Sequence, residues 1–295
     1  MKERILDFKT NKIEKLSLEE LKLTCKEKIN GKPLNGIYHF DLIEAIYEQL
    51  DKSGLKYDMP VLFAANNKDS RMPGVITDEE KEEEHGLGNI QTYYLRRLFS
   101  QINVTSLEDD TTSTGIGISY NQLGVQIAFG PNVKICTNLC ILGADRFMST
   151  YSHGDKMPTP QRMMEVLSDW LSNFEGERKR DMKIMKELQG KSVPHKEVLE
   201  IIGDLTQMRI MKENAKLFPK QPVPPLHGGQ ISKFALKYIQ ERAAGVSEGE
   251  IRVFSAWDLY NFATELYKPG ETDMPLILSN NYTMSQYLIN RYSIN

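Results

Sequence analysis

The feature that most constrains the fold is a central series of short segments in which apolar residues alternate with small or polar ones. Residues 115–120 and 125–129 alternate most regularly, and residues 121–124 between them predict a turn. The tripeptide from Gly130 to Asn132 predicts a second turn. Short alternating segments separated by turns are typical of antiparallel strands joined in sequence order. The sequence therefore predicts a β meander at the centre of the chain.

Helical spacing of apolar residues occurs on both sides of this meander. Before it, the spacing predicts a helix over residues 40–53, with Gly54 at the position that follows a helix C-terminus. From residue 161 onward, apolar residues recur three and four positions apart over most of the remaining chain. We therefore expect an α+β fold, with a central antiparallel β meander, an N-terminal helix and a helical C-terminal half.

The same patterns predict how the chain is divided. Turn-forming and proline-rich segments mark the boundaries, and residues 218–225 are the best candidate for a linker. The predicted parts are an N-terminal helical arm (1–36), an α+β core with the meander (37–160), a helical hairpin (161–217) and a C-terminal helical segment packing on the core (226–295).

Composition excludes several classes of protein. Hydrophobic residues make up 40% and charged residues 26%, which is ordinary for a globular protein. The net charge of −3 excludes a nucleic-acid binder that is basic throughout, although it leaves room for a local basic face. No apolar run approaches the roughly 20 residues that a membrane-spanning helix needs. With three cysteines and no apolar stretch behind Met1, we expect a cytoplasmic protein with no membrane partner.

Motifs for catalysis, cofactors and metals are largely missing from the sequence. There is no phosphate-binding P-loop, and Gly115-Ile116-Gly117 lies within the predicted meander and lacks the third glycine of a dinucleotide fingerprint. Cys136 and Cys140 have no second ligand pair nearby, so they are best interpreted as buried small residues. We expect no cofactor and no metal, and we assign no catalytic residue. An enzyme whose site is assembled from distant residues stays open as an alternative, and a concave pocket in which His153 meets Cys136 or Asp155 would favour it.

Positive charge is the feature that points furthest toward a function. Residues 178–196 contain seven basic residues against two acidic ones, and both a solvated face and a phosphate-binding face fit this pattern. The meander adds further bases, interleaved with Tyr93, Tyr94, Phe99 and Tyr120, and aromatic residues on an open sheet would stack on bases. Core packing explains the same aromatic residues. The candidate nucleic-acid-binding residues are Arg96, Arg97, Lys134, Arg146, Arg178, Lys179, Arg180 and Lys183.

Three local motifs occur in a characteristic order. They are a Cys-x-Asn turn within residues 133–138, a histidine loop at 151–153, and a helix motif at 257–264 that reads Trp-Asp-Leu-Tyr-Asn-Phe-Ala-Thr. This order resembles a family of phage- and plasmid-encoded proteins of unknown function. The resemblance covers roughly residues 37–275. The chain departs from the family pattern at Leu139, where glycine is usual, and at the additional Phe262. The resemblance implies a mobile-element setting and no established activity. If the chain is phage-encoded, the expected compartment is the host cytoplasm.

Two hypotheses about function follow. The first is a phage or mobile-element protein that binds single-stranded nucleic acid, as an annealing or recombination accessory. The second is a structural or interaction protein of a phage, either a virion component or a protein that binds a host factor. The expected partners are single-stranded DNA, further copies of the chain, or a phage or host protein.

Overall fold

A computed structural model describes residues 13–24, 37–65, 98–106, 112–121, 124–133, 138–143, 146–149, 160–218, 223–247, 252–267 and 276–294. Within these residues the predicted α+β fold is confirmed. The strands are β1 (Ile13–Leu16), β2 (Val61–Ala65), β3 (Leu98–Val104), β4 (Thr112–Asn121), β5 (Gly124–Val133), β6 (Asn138–Leu139), β7 (Phe147–Ser149), β8 (Ser192–Val193) and β9 (Phe254–Ser255). The helices are α1 (Leu18–Thr24), α2 (His39–Ser53), α3 (Pro160–Ser172), α4 (Phe174–Gly190), α5 (His195–Glu213), α6 (Gly228–Ser247), α7 (Ala256–Glu265) and α8 (Ile277–Tyr292).

The meander forms the centre of a seven-stranded antiparallel sheet. Strands β1 to β6 pair in sequence order, and β7 also pairs with β5. β4 and β5 pair along their whole length, from Thr112 opposite Val133 to Asn121 opposite Gly124. The predicted turn at residues 130–132 is wrong, because β5 continues through Pro131. Pro131 has no N–H to donate, but its carbonyl accepts a hydrogen bond from the backbone N–H of Cys140 at 2.8 Å.

The helix predicted over residues 40–53 is confirmed as α2. Its apolar stripe is buried, and it ends at Gly54, whose φ of 69° lies in the left-handed region that a glycine adopts without strain. Nearer the N-terminus, α1 begins with Ser17 and Glu20, which cap each other's backbone N–H groups. β1 adds an edge strand beside β2, so this part of the chain contributes to the sheet as well as a helix.

The sheet separates two apolar cores. Alternate strand residues such as Ile116, Ile118 and Phe129 pack with α2 and α3, and we call this the first core. Residues on the opposite face, such as Phe99 and Ala128, pack with side chains from α4 to α8, and we call this the second core. Helices therefore cover both faces of the meander.

The apolar stripe that begins at residue 163 passes from one core to the other. The helix is interrupted at Asn173, between α3 and α4. Trp170 and Phe174 lie in the first core, whereas Ile184 and Leu188, further along α4, lie in the second. α4 then packs on α7, and α5 packs on α6. Within the described residues, no helix combines the length and apolar character needed to cross a bilayer.

Candidate nucleic-acid interface

Helix α4 carries four of the predicted nucleic-acid-binding residues. Its first turn contains Glu175 and Glu177, which suit the positive end of the helix dipole. Its buried residues, Phe174, Asp181, Ile184, Met185 and Leu188, recur at helical spacing and fix which side of the helix faces the protein. One residue of this buried stripe, Asp181, is a carboxylate. Its basic partner explains why acidic side chains of α4 lie on the side that faces the protein.

That partner is Arg146, directly before β7. Only 1% of Arg146 is exposed. Its Nε donates to Asp181 Oδ1 at 3.0 Å, and its other nitrogen, Nη2, donates to Glu177 Oε2. The second oxygen of Glu177 accepts from the amide of Asn173 at 3.2 Å. Two of the four carboxylates of α4 are thus held beneath the helix.

The opposite side of α4 carries a row of lysines. Lys179, Lys183 and Lys186 are spaced four and three residues apart, so they share one side of the helix, and all three are exposed. Lys179 contacts Glu175 at 2.7 Å, and this hydrogen bond holds the pKa of the Glu175 carboxyl below its ordinary value. Lys183 lies 3.7 Å from Glu187. Exposed ion pairs of this kind are weak because water and salt screen them, so another anion can displace them.

Arg178 and Arg180 flank this row, the first half-buried and the second exposed. Beyond the end of α4, the exposed Lys191 lies over the ring of Tyr292, with its Nζ 5.0 Å from the ring centroid. Lys196, in the first turn of α5, is also exposed. We call the exposed side of α4, with Arg178, Lys179, Arg180, Lys183 and Lys186, the basic face.

The structure therefore divides the eight predicted residues. Arg178, Lys179, Arg180 and Lys183 come together on α4. Arg146 comes close to them, but it lies inside the protein, where a phosphate does not reach it. The remaining three, Arg96, Arg97 and Lys134, lie outside the described residues.

The predicted stacking of bases on an open sheet does not fit the arrangement of the aromatic residues. Phe99 is buried in the second core and Tyr120 in the first. Tyr120 donates its hydroxyl to the carbonyl of Ile37 at 2.8 Å and contacts the ring of His39. Because helices cover both faces of the sheet, neither aromatic side chain is accessible to a base. Tyr93 and Tyr94 lie outside the described residues.

Other polar clusters have structural roles. Arg291 on α8 binds Asp204, Glu200 and Glu197, at 2.8, 3.1 and 3.4 Å, and so ties α8 to α5. Cys140 is buried, as predicted, beside Tyr260, and burial raises the pKa of the Tyr260 hydroxyl well above its ordinary value. Among the residues described, no three histidine, cysteine or carboxylate side chains are grouped for a metal. His153, Cys136 and Asp155 lie outside the described ranges.

Sequence reasoning missed the inward orientation of Glu177 and Asp181, although a signal was present. Residues 174, 177, 181, 184 and 188 form one continuous helical stripe, and two of the five are acids. Carboxylates on an otherwise apolar stripe predict a buried basic partner. Comparison with known proteins adds no assignment, since no family model, curated protein or solved structure matches the chain.

Proposed function

We propose that this protein binds nucleic acid, with the basic face of α4 contacting the phosphate backbone. One observation carries the proposal. α4 contains five basic and four acidic residues, and two of the acids are held beneath the helix by Arg146. Among the remaining charged side chains of α4 itself, five are cationic and two, Glu175 and Glu187, are carboxylates. The helix is therefore rich in basic residues within a chain whose net charge is −3.

The spacing of the lysines suits a chain of phosphates. Lys179 and Lys186 are separated by about 10 Å along the helix axis, because each residue rises about 1.5 Å. That length corresponds to about three nucleotide steps along one strand of a duplex. Phosphates that replace Glu175 and Glu187 as partners of the lysines would release bound counterions, which is the main driving force of backbone recognition.

A protein that binds nucleic acid in this way would act as an accessory factor in strand annealing or recombination, in line with the resemblance to phage and plasmid proteins. Single-stranded nucleic acid is the proposed ligand. Support for it comes from charge alone, because the aromatic residues described on the sheet are buried, apart from Phe147, which is half-buried and stacks on the ring of Tyr282. A preference for single strands over duplexes is therefore something the binding experiment measures directly.

The test is fluorescence anisotropy with labelled single-stranded and duplex DNA of equal length, between about 50 and 200 mM salt. We expect wild-type affinity to fall steeply with salt. The variant K179A/K183A/K186A should bind at least tenfold more weakly, and its salt slope should be smaller by about 2 to 3. The matched control is K212A/K216A/K233A, which removes three exposed lysines from outside α4. No binding at low salt, or equal losses in both variants, would exclude the basic face as the site.

A second candidate function is self-association, the interaction hypothesis in its simplest form. The outward side of α6 carries Ser232, Leu236, Ile239 and Ala243, an uncharged row in which Leu236 and Ile239 are more than half exposed. Large residues flanked by small ones suit the antiparallel packing of the same helix from a second copy. Native mass spectrometry of L236E/I239E tests this. A dimer that becomes monomeric supports the proposal, and a wild-type monomer at micromolar concentration excludes it.

A further inference from the structure

We propose that Arg146 is a positioning residue for nucleic-acid binding, because it holds two carboxylates away from the basic face. This inference rests on the proposed function of α4. Arg146 touches no ligand itself. It acts through Glu177 and Asp181, and it thereby sets the charge that α4 presents to a phosphate backbone.

The geometry around Glu177 carries the inference. Glu177 lies next in sequence to Arg178 and two residues from Lys179, yet only 20% of its side chain is exposed. Both of its carboxylate oxygens are engaged, one by Arg146 and the other by Asn173. Without Arg146, this carboxylate would be drawn to solvent and to the neighbouring cations. It would then compete with phosphate, as Glu175 and Glu187 do.

Asp181 holds the Arg146 side chain in its buried position. Its side chain and that of Arg146 are each 2% exposed, so neither charge is hydrated by bulk water. A buried charge that keeps its partner is tolerated, whereas one that loses its partner is strongly destabilising. Arg146 therefore stays beneath α4 and has no low-energy alternative at the surface, and Glu177 is held with it.

A purely structural role would give a different pattern of effects. If Arg146 only anchored α4 to β7, removing it would lower stability, and neutralising Glu177 would not restore binding. If Arg146 instead keeps Glu177 away from the basic face, neutralising a carboxylate should change the affinity for DNA only where that carboxylate lies on the exposed side of α4. Glu175 and Glu187 lie on the exposed side, and Glu177 is already neutralised from below.

The experiment compares three single variants in the same anisotropy assay. We expect E175Q and E187Q each to tighten DNA binding by about twofold to fivefold, because each frees a lysine from an exposed ion pair. We expect E177Q to change affinity by less than half as much. Equal tightening by E177Q and E175Q would overturn the inference, whatever the stability of other variants.

A second comparison tests Arg146 directly. R146Q should weaken binding by about threefold to tenfold, and R146Q/E177Q should restore most of it, with circular dichroism confirming that both variants are folded. A folded R146Q that binds like wild type, or no rescue by E177Q, would overturn the positioning role. If R146Q does not fold, the three glutamate variants decide alone.

Two outcomes separate this inference from the proposed function. Loss of binding in K179A/K183A/K186A together with equal E175Q and E177Q effects would reject the inference and keep the proposed function. A wild type that does not bind DNA rejects both.

Discussion

The two faces of the central sheet are both buried, but they are built from different residues. The face toward the first core carries large apolar side chains, among them Ile116, Ile118 and Phe129. At neighbouring positions in the same strands, the opposite face carries Gly117, Ser119, Gln126 and Gly130. The first face fills its space with its own side chains. The second is filled by elements that approach it closely, which makes it sensitive to added atoms more than to removed ones.

Close approach is clearest at two glycines. A Cβ atom added to Gly130 would lie 1.8 Å from the backbone oxygen of Cys140. A Cβ atom added to Gly117 would lie 2.6 Å from a methyl group of Leu139 and 2.7 Å from a methyl group of Leu278. The obstacle at Gly130 is a backbone carbonyl, whereas the obstacle at Gly117 consists of two flexible side chains. The expected effects differ accordingly.

The largest effect we predict is for Gly130→Ala. The new methyl group cannot avoid the Cys140 carbonyl unless the chain between β5 and β6 moves, so we expect a loss of more than about 5 kcal/mol, comparable to the stability of a whole domain. Expression level and circular dichroism give the readout. Gly203→Ala is the control, because Gly203 is exposed on α5 with nothing within 4 Å of the added atom, and alanine there should stabilise by about 0.5–1 kcal/mol. A folded Gly130→Ala protein of normal stability would mean that the second face is not closely packed.

Ile118→Ala probes the first face by removing atoms. Ile118 is fully buried opposite Ile127, so the variant should lose about 2–5 kcal/mol through lost transfer energy and an unfilled cavity. Urea denaturation monitored by tryptophan fluorescence measures the change. A loss below about 1 kcal/mol would indicate that the first core is loosely packed and would remove the contrast between the faces.

Gly117→Ala should have an intermediate effect. Leu139 and Leu278 can rotate to make room, at an expected cost of about 1–3 kcal/mol. The double variant G117A/L278A provides the internal check. Leu278→Ala itself removes a fully buried side chain, but the loss in the double variant should be smaller than the sum of the two single losses in the same denaturation assay. Losses that simply add would show that the added methyl group does not contact Leu278.

The smallest effect, and one of opposite sign, is expected for Ser119→Ala on the second face. Ser119 Oγ is buried with no hydrogen-bond partner in the part of the chain that the structure describes. Its removal should change stability by between zero and about 1 kcal/mol in the stabilising direction. Ser285→Ala is the matched control, because Ser285 Oγ donates to the carbonyl of Ile141 and its loss should destabilise by about 1–2 kcal/mol. A clear destabilisation by Ser119→Ala would identify a partner for this hydroxyl.

The sequence predicted the meander, α2 and its glycine terminus because these depend on residues close together in the chain. It did not predict that the second face is buried. Gly117 and Ser119 are the small and polar positions of the alternating pattern, and α8, whose Leu278 packs against Gly117, lies far away in sequence. The candidate site divides in the same way. The basic residues of α4 are visible as a cluster, whereas Arg146 is 35 residues from Asp181, and no local pattern joins them.

The interruption at Asn173 has a consequence for how the molecule opens. α3 packs in the first core, α4 contributes Ile184, Met185 and Leu188 to the second, and a single residue, Asn173, joins the two helices. Because the connection is a single residue, neither helix can move away from its core while the other helix stays in place. The two cores are therefore linked mechanically as well as by the sheet between them, and the backbone amides of α3 and α4 should exchange with solvent in one concerted opening.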